Sequence, residues 1–355
     1  MSAPVRIVLV AGEASGDLLG SRLIEALRRR LPAAQFCGIG GPRMVAAGFE
    51  SWFAQERLAV RGFVEVVRHL RELLRIRAEV LRRARALPAA LFVGIDSPEF
   101  NLGLERRLKR AGLATAHLVS PQVWAWRRGR IRRMRDHVSH LLVLFPFEED
   151  LYRHAGLGVT CIGHPLADEI PETSDRSAAR EQLRLPAHAP VVALLPGSRQ
   201  SELEMMAGPF IEAAKLLHAR LPALRFVVPL VTRATRDQFE AALHRHAARE
   251  LPLVLLFGHA REALAACDVA LAASGTVTLE AALTRRAMVI AYRVAPLSHW
   301  IARRLIRVPH VGLPNILCGA AVVPEFLQDD AVPENLAQAV GNLLADAPLR
   351  RAVEK

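Results

Sequence analysis

Short apolar runs recur along the chain, each stopping at a turn rich in Gly, Pro, Ser or Asp and each followed by apolar residues at helical spacing. That alternation predicts strand–loop–helix units of a parallel sheet. Strands buried on both faces are apolar throughout, whereas the helices that cover them are apolar on one stripe. In the first half the runs predict strands over 5–10, around Phe36, and over 90–95, 115–119 and 141–144, with an amphipathic helix over 18–30. In the second half they predict strands over 191–195, 226–229, 254–256, 269–272 and 288–292. Two such series predict two open parallel sheets facing one cleft. The length of 355 residues agrees, being more than one core usually organises. A boundary near 165 gives domains 1–165 and 166–355, joined by a polar, Pro-containing crossover with a short helix over 177–185.

The candidate chemistry sits where strands end. At 194–202, LLPGSRQSE, an apolar run stops at Gly197 and Ser198, and a helix follows. Loop N–H groups and a helix start can receive an anion there, and Arg199 adds a positive fork. The alternative is an ordinary turn with a surface Arg. The strand over 90–95 ends in Asp96, which is placed either as a catalytic carboxylate at the crevice or as a cap of the next helix. Ser274, Gly275 and Thr276 begin a helix directly after a strand and offer N–H groups to a pyrophosphate, with Glu280 one turn on, where its carboxylate can accept both hydroxyls of a ribose. Plain helix capping is the competing account. The glycine loop at 11–17, AGEASGD, lacks the Lys-Ser/Thr ending of an NTPase phosphate loop and the order of a dinucleotide fingerprint, which argues against both functions. The segments 310–317 and 323–328 read as loops, and His164 either as a catalytic residue or, the favoured reading, as a hinge residue packed beside Pro165.

From 62 to 87 the pattern changes. Val64, Val66, Val67, Leu70, Leu73 and Leu74 recur at helical spacing with Arg68, Arg71, Arg75, Arg77, Arg82 and Arg83 between them. Such a helix either lies in a membrane interface, with guanidinium groups on lipid phosphates, or is a core-facing helix with a solvated face. The formal net charge of +12 rests almost wholly on Arg and points to anionic partners: nucleic acid, anionic membrane or phosphorylated substrates. Trp124 and Trp126 beside the Arg run at 127–135 read as a stacking platform for nucleic acid or as a face that grips phosphate or sugar. Hydrophobic residues at 52% with 23% charged describe a folded chain. No apolar run is long enough to span a bilayer and the N-terminus lacks a signal-peptide pattern, so a cytoplasmic protein is expected. Cys37, Cys161, Cys267 and Cys318 are too scattered to suggest a disulfide framework or a zinc site.

One ordered set of motifs is more specific than any of its members: AGEASGD (11–17), GIGGPRM (38–44), GIDSPEFN (94–101), SPQVWAWRRGRI (120–131), FPFE (145–148), GHPL (163–166), LLPGSRQSE (194–202), ASGTVTLEAAL (273–283) and LPNIL (313–317). From end to end the chain resembles the lipid-A-disaccharide synthases, bacterial glycosyltransferases of the GT-B type. The resemblance implies two Rossmann-like domains with parallel sheets facing an interdomain cleft. It implies inverting transfer of 2,3-diacylglucosamine from its UDP derivative to the 6-hydroxyl of 2,3-diacylglucosamine 1-phosphate, giving the β-1′,6-linked disaccharide 1-phosphate and UDP. Asp96 is then the expected general base. Arg199, with N–H groups near Gly197 and Ser198 and from the helix start at Ser274, Gly275 and Thr276, is expected to hold the pyrophosphate. Glu280 takes the ribose, Asn315 positions donor sugar or phosphate, and Ser15 and Gly16 face them from the first domain. No metal and no other cofactor is expected.

Both substrates carry acyl chains, so the resemblance favours Val64, Val66, Val67, Leu70, Leu73 and Leu74 as lipid contacts. The enzyme would then sit peripherally on the anionic inner membrane, with no nucleic acid as partner. Glu99 stands where members often have Asp and receives no catalytic role. The chain ends at Lys355, short of what the family suggests, and a last helix is expected to pack back on the first domain. The rival readings are another GT-B enzyme, either a lipid-linked sugar transferase or a UDP-sugar 2-epimerase, and an RNA-binding protein using the Trp and Arg run.

Overall fold

Residues 5–58, 63–121, 128–294 and 309–354 are described in a computed structural model. They divide into two units, Met1–Pro165 and Leu166–Lys355. The first holds β1 (Arg6–Ala11), β2 (Gln35–Gly40), β3 (Glu50–Ala54), β4 (Ala89–Ile95), β5 (Ala114–Leu118), β6 (His140–Val143) and β7 (Gly158–Cys161). They form one sheet in the order β3-β2-β1-β4-β5-β6-β7. Every neighbouring pair is parallel. Along β1 alternate residues serve opposite faces, as the period of two requires. Ile7, Leu9 and Ala11 join Ile24 and Met44 on one side. Val8 and Val10 join Ile76, Val80, Leu104 and Leu108 on the other. β3 and β7 were not anticipated, because as edge strands they are half-exposed and their sequences carry no continuous apolar run.

The second unit holds β8 (Val191–Leu195), β9 (Arg225–Leu230), β10 (Leu253–Phe257), β11 (Val269–Ala273), β12 (Ala287–Tyr292) and β13 (Glu325–Leu327). Their order is β10-β9-β8-β11-β12-β13, again parallel throughout. Val192 and Leu194 pack on Phe210, Ala214 and Leu217 of the helix Gln200–Arg220. Val191, Ala193 and Leu195 pack on Ala263 and Ala266 on the other face. A charge cluster built around the buried Arg180 ties the crossover to this sheet. Arg180 pairs with Asp268 at 2.8 Å, Arg176 pairs with Asp268 at 3.0 Å, and Asp268 also accepts the Val191 N–H at 2.8 Å. The last helix, Ala347–Val353, packs within the same unit, where Arg176 lies 3.6 Å from Glu354.

Two segments expected as loops are ordered elements. Residues Leu313–Cys318 form a helix with Pro314 in its first turn, and Glu325–Leu327 extend the sheet beside β12. Both are too short to show periodicity, and Pro314 stands in the first turn of its helix, where a missing N–H costs no helical bond.

Each sheet reverses its winding direction once, between β1 and β4 in the first and between β8 and β11 in the second. In open parallel sheets, ligands bind outside the carboxyl ends of the strands at this point. The loops singled out by sequence leave from these four strand ends.

Candidate functional site

In the first unit, the loop after β1 and the loop after β4 touch. A Cβ at Gly12 would collide with Ser97 Oγ, and Gly16 lies against Ile95. Ser15 is exposed at this junction, and Gly16 is buried. Asp96 and Ser97 both take left-handed backbone angles, with φ of 51° and 45°. Two such non-glycine residues in succession are strained and persist only where the surroundings over-determine them. Here Asn101 supplies the restraint, its Nδ2 donating to the carbonyls of Asp96 (2.8 Å) and Val10 (3.2 Å). The helix Pro98–Arg110 begins after Ser97 without a side-chain cap, so Asp96 does not act as one. Its half-buried carboxyl is raised above the ordinary value, chiefly by burial and also by the nearby charges of Glu13 and Glu99. The Ser97 backbone and the charge of His117 oppose that rise.

Two neighbouring features escaped the sequence reading. Asp17, buried at 3% exposure, accepts the N–H groups of Gly41 (2.9 Å), Arg43 (3.0 Å) and Met44 (3.0 Å), so the acid of AGEASGD fixes the glycine turn of GIGGPRM. Ser120 bonds the buried Tyr152 hydroxyl at 2.6 Å and also hydrogen-bonds Glu148, which joins SPQVWAW to FPFE. Burial pushes the Glu148 carboxyl up to about 7, against the opposing hydrogen bonds from Phe145 and Ser120. The motifs marked these residues, yet only the fold shows that they bond one another.

In the second unit, Leu195 pairs with Ala272, which sets the loop after β8 beside the loop after β11. Gly197 has φ of 126°, and a Cβ there would lie 2.5 Å from Glu202 Cβ. Glycine is therefore required on both conformational and steric grounds. The reason for the crowding bears on one expectation. The N–H groups of Ser198 and Arg199, assigned to phosphate, donate to Glu202 Oε2 at 2.9 and 3.2 Å. Glu202 is the third residue of the helix Gln200–Arg220 and folds back over its start, as acids at this position do. The Arg199 side chain is exposed, 3.7 Å from the same carboxylate. The N–H groups expected to face an anion are taken by the chain's own carboxylate.

After β11, the Ser274 N–H is committed to the Ala291 carbonyl at 3.2 Å, and its hydroxyl lies 3.3 Å from the Val311 carbonyl. The helix Thr276–Leu283 starts from Gly275 without a side-chain cap, and Gly275 and Thr276 are exposed. The set of N–H groups left open at this helix start is therefore narrower than expected, because it excludes the Ser274 N–H. Glu280 is half-buried one turn on, its carboxyl raised by burial and held down by Arg261.

Asn315 is not placed as expected. It is fully buried, with Nδ2 donating to Val323 O (2.8 Å) and Glu325 Oε1 (2.7 Å) and Oδ1 accepting from Val322 and Val323 N–H (2.8 and 2.9 Å). The amide is spent on folding 313–325 and is not presented to a ligand. Glu325, which also accepts the Val311 and Gly312 N–H groups, is the hub of that loop.

The helix Phe63–Ala86 divides its labour. Ile76, Val80 and Ala84 are buried against the first sheet, whereas Leu70 and Leu74 are 46% and 51% exposed beside exposed Arg71 and Arg75. Leu73 is half-buried. The core-facing account thus holds for the later turns, and an apolar stripe remains on the earlier ones. The side chains of Val64, Val66 and Val67 lie outside the described residues, as do Trp124, Trp126 and Arg127. Among the described residues, no helix is long and apolar enough to cross a membrane and no group of three His, Cys, Asp or Glu could hold a metal ion.

Comparison with known proteins separates the remaining readings. A lipid-A-disaccharide synthetase family model matches residues 7–353. The chain is 52% identical over its whole length to the lipid-A-disaccharide synthase of Dechloromonas aromatica, covering 93% of that protein. It is 55% identical over 96% of its length to that of Aromatoleum aromaticum, covering 88%. Among solved structures, a UDP-GlcNAc 2-epimerase from Neisseria meningitidis superposes with a TM-score of 0.66 at 10% identity, covering 99% of this chain and 94% of that one. MurG from Acinetobacter baumannii gives 0.58 at 14% identity with the same coverage. These likenesses show the GT-B fold, which transferases and epimerases share. The family model and the half-identical relatives decide between the two chemistries: the chain belongs to the lipid-A-disaccharide synthase family of glycosyltransferases.

Proposed function

We propose that the chain transfers 2,3-diacylglucosamine from its UDP derivative to the 6-hydroxyl of 2,3-diacylglucosamine 1-phosphate, with inversion and release of UDP. The observation that carries the reading is Asp96. A strained, half-buried carboxylate stands at the winding reversal of a parallel sheet, with its proton affinity raised toward the range a general base needs. In one displacement, the hydroxyl oxygen bonds to the anomeric carbon while Asp96 takes its proton. The bond from that carbon to the β-phosphate oxygen breaks, and its electron pair leaves with UDP.

The second unit would take the donor. Arg199, the uncapped helix start at Gly275 and Thr276 and the Ser198 and Arg199 N–H groups are the groups suited to the leaving diphosphate. The last two become available when Glu202 yields its place. Glu280 suits the ribose diol. In this reading cations and helix dipoles carry the charge of the diphosphate, and turnover in the presence of a chelator is the expected result. Leu70 and Leu74 with Arg71 and Arg75 support peripheral work at the anionic inner face of the membrane, where both acylated substrates reside.

Incubating the purified protein with the two diacylglucosamine substrates tests the reading, with UDP and the disaccharide 1-phosphate as products. Asp96→Asn is expected to lower kcat by about 10²–10⁴-fold with UDP affinity retained. Turnover near the unaltered rate removes Asp96 as base, and absence of the disaccharide removes the reaction.

A further inference from the structure

The helix Phe63–Ala86 reaches the Asp96 turn through one side chain. Spacing groups Arg77 with the arginines that face lipid or water, yet it is half-buried and directed at the start of the next helix. Its Nη2 donates to the carbonyls of Glu99 (2.9 Å) and Phe100 (2.7 Å), and its Nε donates to Phe100 O at 3.1 Å. The guanidinium stands 5.6 Å from the centroid of the Phe100 ring. This approach needs room on the helix Pro98–Arg110, because a Cβ at Gly103 would lie 2.6 Å from Arg77 Nη2. Carbonyls inside a helix already have a helical donor, so the three bonds are not required to satisfy the backbone. Their effect is to tie the first turn to the neighbouring helix. Within the turn, Ser97 O accepts the N–H groups of Phe100 and Asn101, both at 3.0 Å, and Asn101 Nδ2 holds the Asp96 carbonyl at 2.8 Å. The left-handed pair at Asp96 and Ser97 therefore hangs from a helical turn that is held both by its own residues and by Arg77, which is the over-determination such strain demands.

We propose that Arg77 is a positioning residue for the transfer: by tying the first turn of Pro98–Arg110 to the helix Phe63–Ala86, it keeps the Asp96 turn left-handed and its carboxylate where the attacking hydroxyl meets it. Arg77 acts through the backbone of Glu99 and Phe100 and not on a reacting atom. The inference rests on Asp96 being the base.

Gly103→Ala tests it, because the added Cβ displaces the guanidinium from the two carbonyls while alanine favours the helix and the charge of Arg77 is kept. The variant is expected to keep or raise its Tm and to lose about tenfold in kcat, with KM and UDP affinity unaltered, as a small misplacement of the base would cause. A tie that served stability alone would leave kcat where it was, and unaltered kcat in the folded Gly103→Ala enzyme overturns the proposal. If that variant does not fold, Arg77→Leu and Arg77→Lys decide. Arg77→Leu is expected to show the same loss and Arg77→Lys, which returns one donor to the Phe100 carbonyl, to recover part of it; full kcat in Arg77→Leu overturns the proposal. The path through Asp96 is checked by adding Gly103→Ala, or Arg77→Leu in its place, to Asp96→Asn. The second change is expected to alter the residual turnover by less than about twofold, because the base it positions is gone. A full further tenfold loss overturns the proposal. Retained turnover in Asp96→Asn by itself defeats the base assignment, whereas an impaired Asp96→Asn beside a Gly103→Ala enzyme of unaltered kcat defeats only the role of Arg77.

Discussion

Glu148 offers a quantitative test of how the first unit is assembled. Its carboxyl is 4% exposed, accepts the Phe145 N–H at 3.1 Å and bonds Ser120, yet burial raises it from an ordinary 4.5 to about 7. Between those two pH values the folded chain keeps a proton that the unfolded chain releases. Unfolding free energy therefore falls as pH rises through this window and levels off above about 7. At ~1.4 kcal/mol per pH unit of separation, ionising Glu148 costs the folded state about 3 kcal/mol. Glu148→Gln keeps an acceptor for Phe145 and Ser120 but cannot ionise. Its stability relative to the unaltered protein should be lowest near pH 4.5 and rise by about 3 kcal/mol by pH 8. Urea unfolding at half-unit steps of pH, followed by circular dichroism with equal m-values for the two proteins, measures the difference directly. Other groups titrate in both proteins and cancel. A difference that stays level across the window refutes the claim that Glu148 is protonated by burial.

The remaining expectations concern the second unit and the exposed stripe. Glu202→Gln should tighten UDP binding by about tenfold in calorimetry, because the phosphate no longer displaces a carboxylate, and should lower Tm by a few degrees through the weakened helix start. Unchanged or weaker binding by the folded variant shows that the Ser198 and Arg199 N–H groups do not receive the donor. Asn315→Ala orphans the part-buried Val322 and the buried Val323 N–H groups and should destabilise the protein by about 3 kcal/mol in urea. A stable variant that has lost UDP affinity would restore Asn315 as a ligand contact. Leu70→Ser with Leu74→Ser should change stability by no more than about 1 kcal/mol, since both side chains are half-exposed, while weakening association with anionic liposomes several-fold. Unfolding of this double variant would assign the stripe to the core.

Much of the fold was legible because buried parallel strands are apolar throughout. Val191–Leu195 and Val269–Ala273 announce themselves in this way, as does β1. The edges were not legible. β3 and β7 carry mixed residues because one side of each faces solvent, and β13 has only the three residues that pair with β12. Short elements of this kind owe their conformation to a neighbour, so no local pattern marks them.

The same division runs through the site. Strand-end loops, the acid at 96, the basic residue at 199 and the glycine at 197 could be read from residue order alone, because turn chemistry and helix starts are local. Which donors are still free could not. Glu202 closes over Ser198 and Arg199 because the helix brings its third residue back to its start. Asn315 is consumed by Val322, Val323 and Glu325, which arrive from a later turn. Asp17 reaches Gly41, and Glu105 reaches His117, only because β1, β2, β4 and β5 lie side by side. The sequence by itself determined the alternation, the two units' worth of strands and the family motifs. Tertiary structure decided which polar groups are left to meet a ligand, since hydrogen bonds and charges are shared among partners distant in the chain, and burial sets the strength of each.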